Sequence, residues 1–293
     1  MDISIVIRTF NEGKWLGPVL EAVASQELDG NAMEVVLVDS GSTDDTLPIA
    51  QKHGCRIVHI AKDDFTFGRS LNMGCDAAKG RALVFISGHC IPNDPRWLVN
   101  LVAPLGTNGI VYSYGRQQGH DISRYSEEQL FRKYYPDTSQ VPQEGFFCNN
   151  ANAAVLKEQW VTNQFDEDLT GLEDMELAKR LTIAGFKVAY VADAPVIHIH
   201  EESWHKVKVR YEREAIALQA IMPELHVNFA DFLRYFFSGV MLDWGQAIAD
   251  KCFHKVAGEI LAFRFMQYWG TYAGANEHRR LSRQRKEEYF YPR

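Results

Sequence analysis

Four short apolar or β-branched runs, Ile3 to Ile7, Glu34 to Val38, Arg56 to Ile60 and Ala82 to Ile86, are each bounded by polar or glycine-containing turns. That pattern predicts strands. Between them, Trp15 to Ser25, Thr46 to His53 and Ser70 to Ala78 repeat their apolar residues at helical spacing. Strand and helix alternating in this way predict an α/β fold with a mostly parallel central sheet covered on both faces. Ligands of such sheets bind beyond the carboxyl ends of the strands. The segments to inspect are therefore Arg8 to Glu12, Asp39 to Asp45, Asp63 to Asn72 and Ser87 to Asn93.

Further along, Gly109 to Tyr114 reads as a strand, Leu172 to Ala184 as a helix opened by acidic residues, and Lys187 to Val191 as a strand after the Gly185 stop. The stretch from Tyr125 to Glu144 shows no clear period and reads as a mobile loop. Val196-Ile197-His198-Ile199-His200 alternates, which puts both histidines on one face of a strand. From about Pro223 the character changes: Phe229 to Ala249 and Val256 to Tyr272 are aromatic-rich helical patterns interrupted by Asp231, Arg234, Asp243 and Arg264, charges that argue against a membrane span. The expected division is a catalytic domain over residues 1–222 and a helical extension over residues 223–293.

Composition narrows the function classes. Hydrophobic residues make up 46% and charged residues 24% of the 293, ordinary globular usage rather than disorder or a fibrous repeat. A net charge of -7 argues against nucleic acid as a partner, because that binding rests on a surplus of Lys and Arg. Five scattered cysteines without CxxC spacing indicate neither a disulfide framework nor a zinc cluster, and fit a reducing cytoplasm. Met1-Asp2 runs straight into the first apolar strand, without the basic and long apolar regions of a secretory signal.

Candidate chemistry follows the strand ends. Asp39 closes the second strand and is followed by Ser40-Gly41-Ser42-Thr43-Asp44-Asp45-Thr46, residues that turn tightly and cap a helix. Taken with Ile5-Val6-Ile7-Arg8-Thr9-Phe10-Asn11-Glu12 before it and Phe67-Gly68-Arg69-Ser70-Leu71-Asn72-Met73-Gly74 after it, the chain resembles the family 2 glycosyltransferases of the GT-A fold. The Phe-Thr-Phe-Gly-Arg-Ser-Leu-Asn wording is similar to the subgroup described as bacterial rhamnosyltransferases. The resemblance covers residues 1 to 220. It implies a nucleotide-diphosphate sugar donor, with Thr9, Asn11, Glu12 and Asp39 holding base and ribose and with Arg69 and Asn72 on the donor side. A guanidinium in that place gives charge-assisted bonds to diphosphate oxygens; a solvated surface arginine is the alternative.

After the fourth strand the family carries an Asp-x-Asp metal motif, and this chain reads Ser87-Gly88-His89. Neutral imidazole suits transition metals better than Mg²⁺, which prefers oxygen, so Mn²⁺ is favoured over Mg²⁺ if a divalent metal is used. The resemblance implies a further histidine reaching the metal or diphosphate, here His198 or His200. A role for His89 on the phosphate itself stays open. Thr170-Gly171-Leu172-Glu173-Asp174-Met175 resembles the Glu-Asp segment that opens a helix, which makes Asp174 the general base of inverting transfer and Glu173 its neighbour at the acceptor. Two acids complementing a helix dipole are the alternative. Phe146 to Ala154 resembles the segment lining the sugar pocket, with Asn150 and Asn152 as the amides able to bond sugar hydroxyls. Trp204 either stacks on a sugar or packs in the core.

The implied activity is transfer of a sugar to a hydroxyl of a saccharide or lipid-linked saccharide, in bacterial surface polysaccharide synthesis. Rivals are a sugar-nucleotide-binding protein without catalysis and a nucleotidyltransferase, which would need a glycine-rich phosphate loop in place of Arg8 to Glu12. The helices beyond residue 223 leave three roles open: a homodimer contact, shaping of the acceptor site, or peripheral contact with the inner face of a membrane through Arg279, Arg280, Arg283, Arg285 and Lys286.

Overall fold

The computed structural model describes residues 2–277 and 288–291. The basic cluster from Arg279 to Lys286 lies outside them. Eight strands, β1 (Ile3–Thr9), β2 (Met33–Asp39), β3 (Arg56–His59), β4 (Ala82–Ser87), β5 (Cys90–Pro92), β6 (Ile110–Gly119), β7 (Asn152–Leu156) and β8 (Lys187–His198), form one sheet in the order β3-β2-β1-β4-β7-β6-β8-β5. The first four pair in parallel, as the alternation predicts. β7 runs antiparallel to both β4 and β6, and β5 antiparallel to β8, so the sheet is mixed. The five residues of β7 are all buried, which leaves no polar alternation by which its sequence would announce it.

Among the described residues these α-helices accompany the strands: α1 (Leu16–Ala24), α2 (Thr46–Lys52), α3 (Phe67–Ala77), α4 (Trp97–Val102), α5 (Tyr125–Tyr134), α6 (Lys157–Thr162), α7 (Glu173–Ile183), α8 (Trp204–Ile221), α9 (Phe229–Ala249) and α10 (Phe253–Ala275). The segment read as a mobile loop after Tyr125 therefore begins with a helix. Ser126 and Glu127 are buried there: the Ser126 hydroxyl donates to Asp243 at 2.6 Å, and Arg210 donates to Glu127 at 2.7 Å. Polar side chains facing inward erase the apolar period on which a sequence reading depends.

The chain divides into two compact units, the first comprising Met1–His120, Tyr134–Asp168 and Glu173–Ile199, the second Asp121–Lys133, Leu169–Leu172 and His200–Arg293. The first unit contains the whole sheet. Its core is built from β1, β2 and β4, where Ile5, Ile7, Val36, Leu37, Val84 and Phe85 are buried. In the second unit α8 and α10 approach closely because Gly270 and Gly274 lack side chains. A Cβ on Gly274 would stand 2.1 Å from the Glu212 carbonyl oxygen, and one on Gly270 2.4 Å from that of Lys208. Arg264 and Asp243 form a buried two-point ion pair between α10 and α9, at 2.7 and 2.8 Å. Among the described residues no helix is long and apolar enough to cross a membrane.

Candidate active site

Parallel register sets the first half of the site. Thr9 pairs with Asp39 and Arg8 with Ser87, so β1, β2 and β4 deliver these residues together at their carboxyl ends. Asp39 is buried, and its Oδ2 accepts the N–H groups of Gly41 at 2.9 Å and Ser42 at 3.1 Å. The Thr9 hydroxyl lies 3.4 Å from Asp39 Oδ1. The loops after β1 and β2 are stitched together: Asn11, in the left-handed region at φ 56°, accepts the Thr43 N–H at 2.8 Å and donates its own N–H to Ser42 at 2.9 Å. Glu12 N–H donates to Thr46 Oγ1 at 2.8 Å. Backbone and side chains thus fix a polar ledge containing Thr9, Asn11, Glu12 and Asp39 before any ligand arrives.

His89 follows β4 in the turn into β5. Cys90 pairs with His198 across β5 and β8, which brings two histidines 109 positions apart in sequence onto each other. Their rings stack with centroids 5.2 Å apart and planes 26° apart, and each offers a ring nitrogen within 4.8 Å of the other's. Glu12 Oε1 is 2.9 Å from His89 Nδ1. Gly88 permits this, since a Cβ there would stand 3.0 Å from Glu12 Cγ. A carboxylate accepts from Nδ1–H, which leaves the lone pair of neutral His89 on Nε2.

The tautomer of His198 follows from an unambiguous donor. Ala151 N–H donates to Asn149 Oδ1 at 2.9 Å, so that atom is the amide oxygen; Gln117 Nε2 donates to the same oxygen at 3.1 Å. Gln117 Oε1 is then the acceptor that His198 Nδ1–H meets at 2.7 Å, and Nε2 carries the lone pair here too. Two imidazoles with lone pairs on Nε2, one backed by a carboxylate and one by an amide, are a donor set that fits a divalent transition ion and fits Mg²⁺ poorly.

The third element is the start of α7. Asp174 is buried; its Oδ2 accepts the Asn150 N–H at 2.7 Å and its Oδ1 the Met175 N–H at 2.7 Å. Burial, reinforced by the negative charge of Glu173, pushes its carboxyl up to about 7, against the pull of those two N–H groups and of Arg8. Arg8 reaches across from β1: its Nη1 donates to Glu173 Oε1 at 3.0 Å, and its guanidinium lies 4.9 Å from the centre of the Phe67 ring. Asn150 receives the Tyr112 hydroxyl on Oδ1 at 2.6 Å, while its buried Nδ2 has no hydrogen-bond partner among the described residues. A buried amide donor without a protein partner beside a carboxyl of raised proton affinity marks a candidate functional site.

The sequence profile of Glycosyl transferase family 2 matches residues 4–161, more than half of the chain. The chain belongs to this family. The O-antigen chain rhamnosyltransferase RfbN of Salmonella typhimurium is 28% identical over 72% of this glycosyltransferase and 70% of its own length. WbaN of Salmonella anatum, also named an O-antigen chain rhamnosyltransferase, is 25% identical over 71% and 69%. Among solved structures, the mannosyltransferase PcManGT from Pyrobaculum calidifontis, in complex with GDP-Man and Mn²⁺, superposes with a TM-score of 0.65 over 94% of this chain and 88% of that one at 14% identity. The fold is thus GT-A-like, with a mixed central sheet and C-terminal helices.

Several residues singled out from the sequence of this glycosyltransferase also hold partners within its own fold. Asn72 donates to the Phe165 carbonyl and Glu167, and accepts from Trp160 Nε1 and the Phe165 N–H. Asn152 donates to the Arg116 and Ala194 carbonyls and accepts from Trp97 Nε1. Both amides are buried with their N–H groups committed within the fold. Arg69 is held by Glu167 at 2.8 Å, a contact that raises its already high proton affinity and offsets its charge. Glu173 is committed to Arg8.

β8 ends at His198, so His200 lies beyond the strand and belongs to the second unit. There its Nδ1 meets Glu127 at 2.6 Å, and Arg210 contacts Glu127 at 2.7 Å and Glu202 at 2.8 Å. A guanidinium occupies the position from which a cation would neutralise those two carboxylates. Burial raises the Glu127 carboxyl, but His200 and Arg210 outweigh it and hold it at about 2. Trp204, also in the second unit, carries the Arg124 guanidinium 3.6 Å from its ring centre, so one face is already covered.

Arg8, Asn149 and Gln117 were given no role by the sequence reading. The one available signal was a charged residue ending the otherwise apolar run of β1, since a charge in a buried strand needs a partner.

Proposed function

We propose that the chain catalyses inverting transfer of a hexose or deoxyhexose from a nucleoside-diphosphate sugar to a hydroxyl of a saccharide or lipid-linked saccharide, with Asp174 as general base. The observation that carries this reading is the buried, doubly hydrogen-bonded Asp174 carboxylate, whose proton affinity lies close to neutrality. A base of that affinity takes a hydroxyl proton at physiological pH more effectively than an ordinary aspartate. The acceptor oxygen forms its bond to the anomeric carbon as its proton passes to Asp174. The bond from that carbon to the diphosphate breaks on the opposite face, and the nucleoside diphosphate leaves with the electron pair.

Thr9, Asn11, Glu12 and Asp39 bind the nucleoside, the orphaned Nδ2 of Asn150 donates to a sugar hydroxyl, and Arg69 lies on the diphosphate side. His89 and His198 would hold a divalent transition ion, Mn²⁺ before Mg²⁺, whose chemistry there is neutralisation of diphosphate charge. The rhamnosyltransferase relatives favour a deoxyhexose donor and an acceptor in surface polysaccharide synthesis.

The test is a panel of nucleoside-diphosphate sugars screened by calorimetry with and without Mn²⁺, followed by transfer assays with the donor that binds. Asp174→Asn is expected to bind that donor as the native protein does and to lose transfer by about 1,000-fold or more, within the range of general-base removal. Retention of transfer by the variant would remove Asp174 from the mechanism.

A further inference from the structure

One arginine of the first unit stands apart from its neighbours in type. Arg8 meets Glu173, Arg69 meets Glu167, Arg96 meets Glu27 and Asp29, and Arg180 meets Glu176, all at 2.7 to 3.0 Å. Arg116, on β6, is half-buried and its Nε is enclosed without a hydrogen-bond partner. Among the described residues no carboxylate lies within ion-pair distance of it. In a chain with 38 acids against 31 Lys and Arg, a partly enclosed guanidinium without an acid is the exception. Enclosing an N–H of a charged group without an acceptor works against folding, so this group calls for a partner that the chain itself does not supply.

The sheet fixes where it stands. β7 is antiparallel to both β4 and β6, so β6 runs in the direction of β1 and β4, and its carboxyl end opens on the same edge as Thr9 and Ser87. Side chains alternate along a strand, which puts Tyr112, Tyr114 and Arg116 on one face. The Tyr112 hydroxyl donates to Asn150, whose N–H holds Asp174, and the Tyr114 ring lies edge-on to Phe147 with centroids 5.5 Å apart. Tyr190 pairs with Tyr114 across β6 and β8; burial pushes its hydroxyl up against the pull of the Arg116 charge, which places that charge on the same face. Gln117, one residue on, turns instead to Asn149 and His198. Arg116 thus stands about 13 Å beyond Tyr112 along the strand, on the side of Asp174, while the histidine pair is reached from the residue next to it.

We propose that Arg116 binds an oxyanion carried by the acceptor, a phosphate or carboxylate group set off from the hydroxyl that reacts. The assignment to the acceptor rests on the reading of Asp174 as the base that meets it. A guanidinium presents its N–H groups as a planar fork, which grips either oxyanion at two points and gains far less from a neutral hydroxyl. The donor diphosphate is the rival oxyanion, but its charge falls to His89, His198 and the ion they would hold, on the Gln117 side of the strand. The Tyr112 side, with Asn150 and Asp174, is left to the acceptor.

Calorimetry on the full chain, saturated with the nucleoside diphosphate it binds best, tests this with glucose 1-phosphate, glucuronate and uncharged glucose as titrants. At least one of the two anions is expected to bind about tenfold or more tightly than glucose, and the one that does identifies the oxyanion. Arg116→Gln is expected to weaken that anion by about 10- to 100-fold, the loss of charge-assisted hydrogen bonds, while nucleoside diphosphate affinity stays within about twofold. Arg116→Lys keeps the charge without the fork and is expected to fall between the two. Since the native guanidinium has no partner in the fold to lose, Arg116→Gln is expected to melt no lower than the native protein; an arginine that braces the fold would show a lower melting temperature. Failure of both anions to outbind glucose would overturn the proposal. So would a fall in nucleoside diphosphate affinity in Arg116→Gln, which would assign the residue to the donor. Absence of nucleoside diphosphate binding by the native protein would sink the catalytic reading on its own, because the same titrations without nucleotide still report whether Arg116 holds an anion.

Discussion

Replacement of Asp174 by asparagine is expected to make the protein more stable in alkaline solution while disabling it. The carboxyl is buried, and its value is pushed from 3.8 up to about 7 by burial first and the Glu173 charge second. A group raised on folding contributes its full stability below the unfolded value and loses it as pH rises toward the folded one. Integration between 3.8 and about 7 gives a loss of about 2 kcal/mol by pH ~5 and about 4 kcal/mol by pH ~8. Asparagine keeps the shape but offers one acceptor where the Asn150 and Met175 N–H groups now find two, and one unsatisfied buried donor costs about 1–2 kcal/mol. The two effects nearly cancel near pH ~5 and leave the variant about 2–3 kcal/mol more stable near pH ~8. Urea unfolding followed by tryptophan fluorescence at intervals across that range measures the difference directly. A difference that stays flat with pH, or a variant less stable than the native protein near pH ~8, would refute the claim that the fold holds this carboxylate against its own charge.

Three further outcomes follow from single contacts. Arg8→Met strands Glu173, whose side chain is 5% exposed, and is expected to cost about 3 kcal/mol in unfolding experiments. It also removes a charge that lowers the proton affinity of Asp174, so the acid limb of the pH–rate profile moves to higher pH; an unmoved limb would separate Arg8 from the base. Gln117→Met removes the acceptor that orients His198 and is expected to weaken Mn²⁺ binding by about 10- to 100-fold in calorimetry with nucleoside diphosphate present, while Gln117→Glu, which keeps an acceptor, retains it. Gly274→Ala forces a methyl group to within 2.1 Å of the Glu212 carbonyl oxygen and is expected to lower stability by about 2–3 kcal/mol, with an unchanged melting temperature as the contrary result.

What the sequence made legible and what it hid divide along one physical line. α9 runs over Phe229–Ala249, the bounds its periodicity predicts, and β1, β2 and β4 each extend the predicted run by a residue or two. In the strands the signal is a short apolar run bounded by polar or glycine-containing turns, and in α9 it is a long aromatic-rich helical pattern. α5 escaped because its inward face carries Ser126 and Glu127, and β7 because it opens on Asn152 at the end of an asparagine-rich stretch instead of standing clear as an apolar run. The same line runs through the site. Asp39 and Asp174 stand out in the sequence because each lies at an element end, where a carboxylate is either a cap or a ligand. The roles of the four asparagines did not, because an amide looks the same in sequence whether it braces a core or waits for a sugar. Asn72 and Asn152 have both amide N–H groups committed within the fold, Asn149 orients Gln117, and Asn150 has a buried Nδ2 without a hydrogen-bond partner among the described residues. That distinction is a count of partners, set by which strands the fold brings alongside. Residue type alone does not carry that distinction: Asn150 has Tyr112 on its oxygen and, among the described residues, no hydrogen-bond partner on its buried nitrogen.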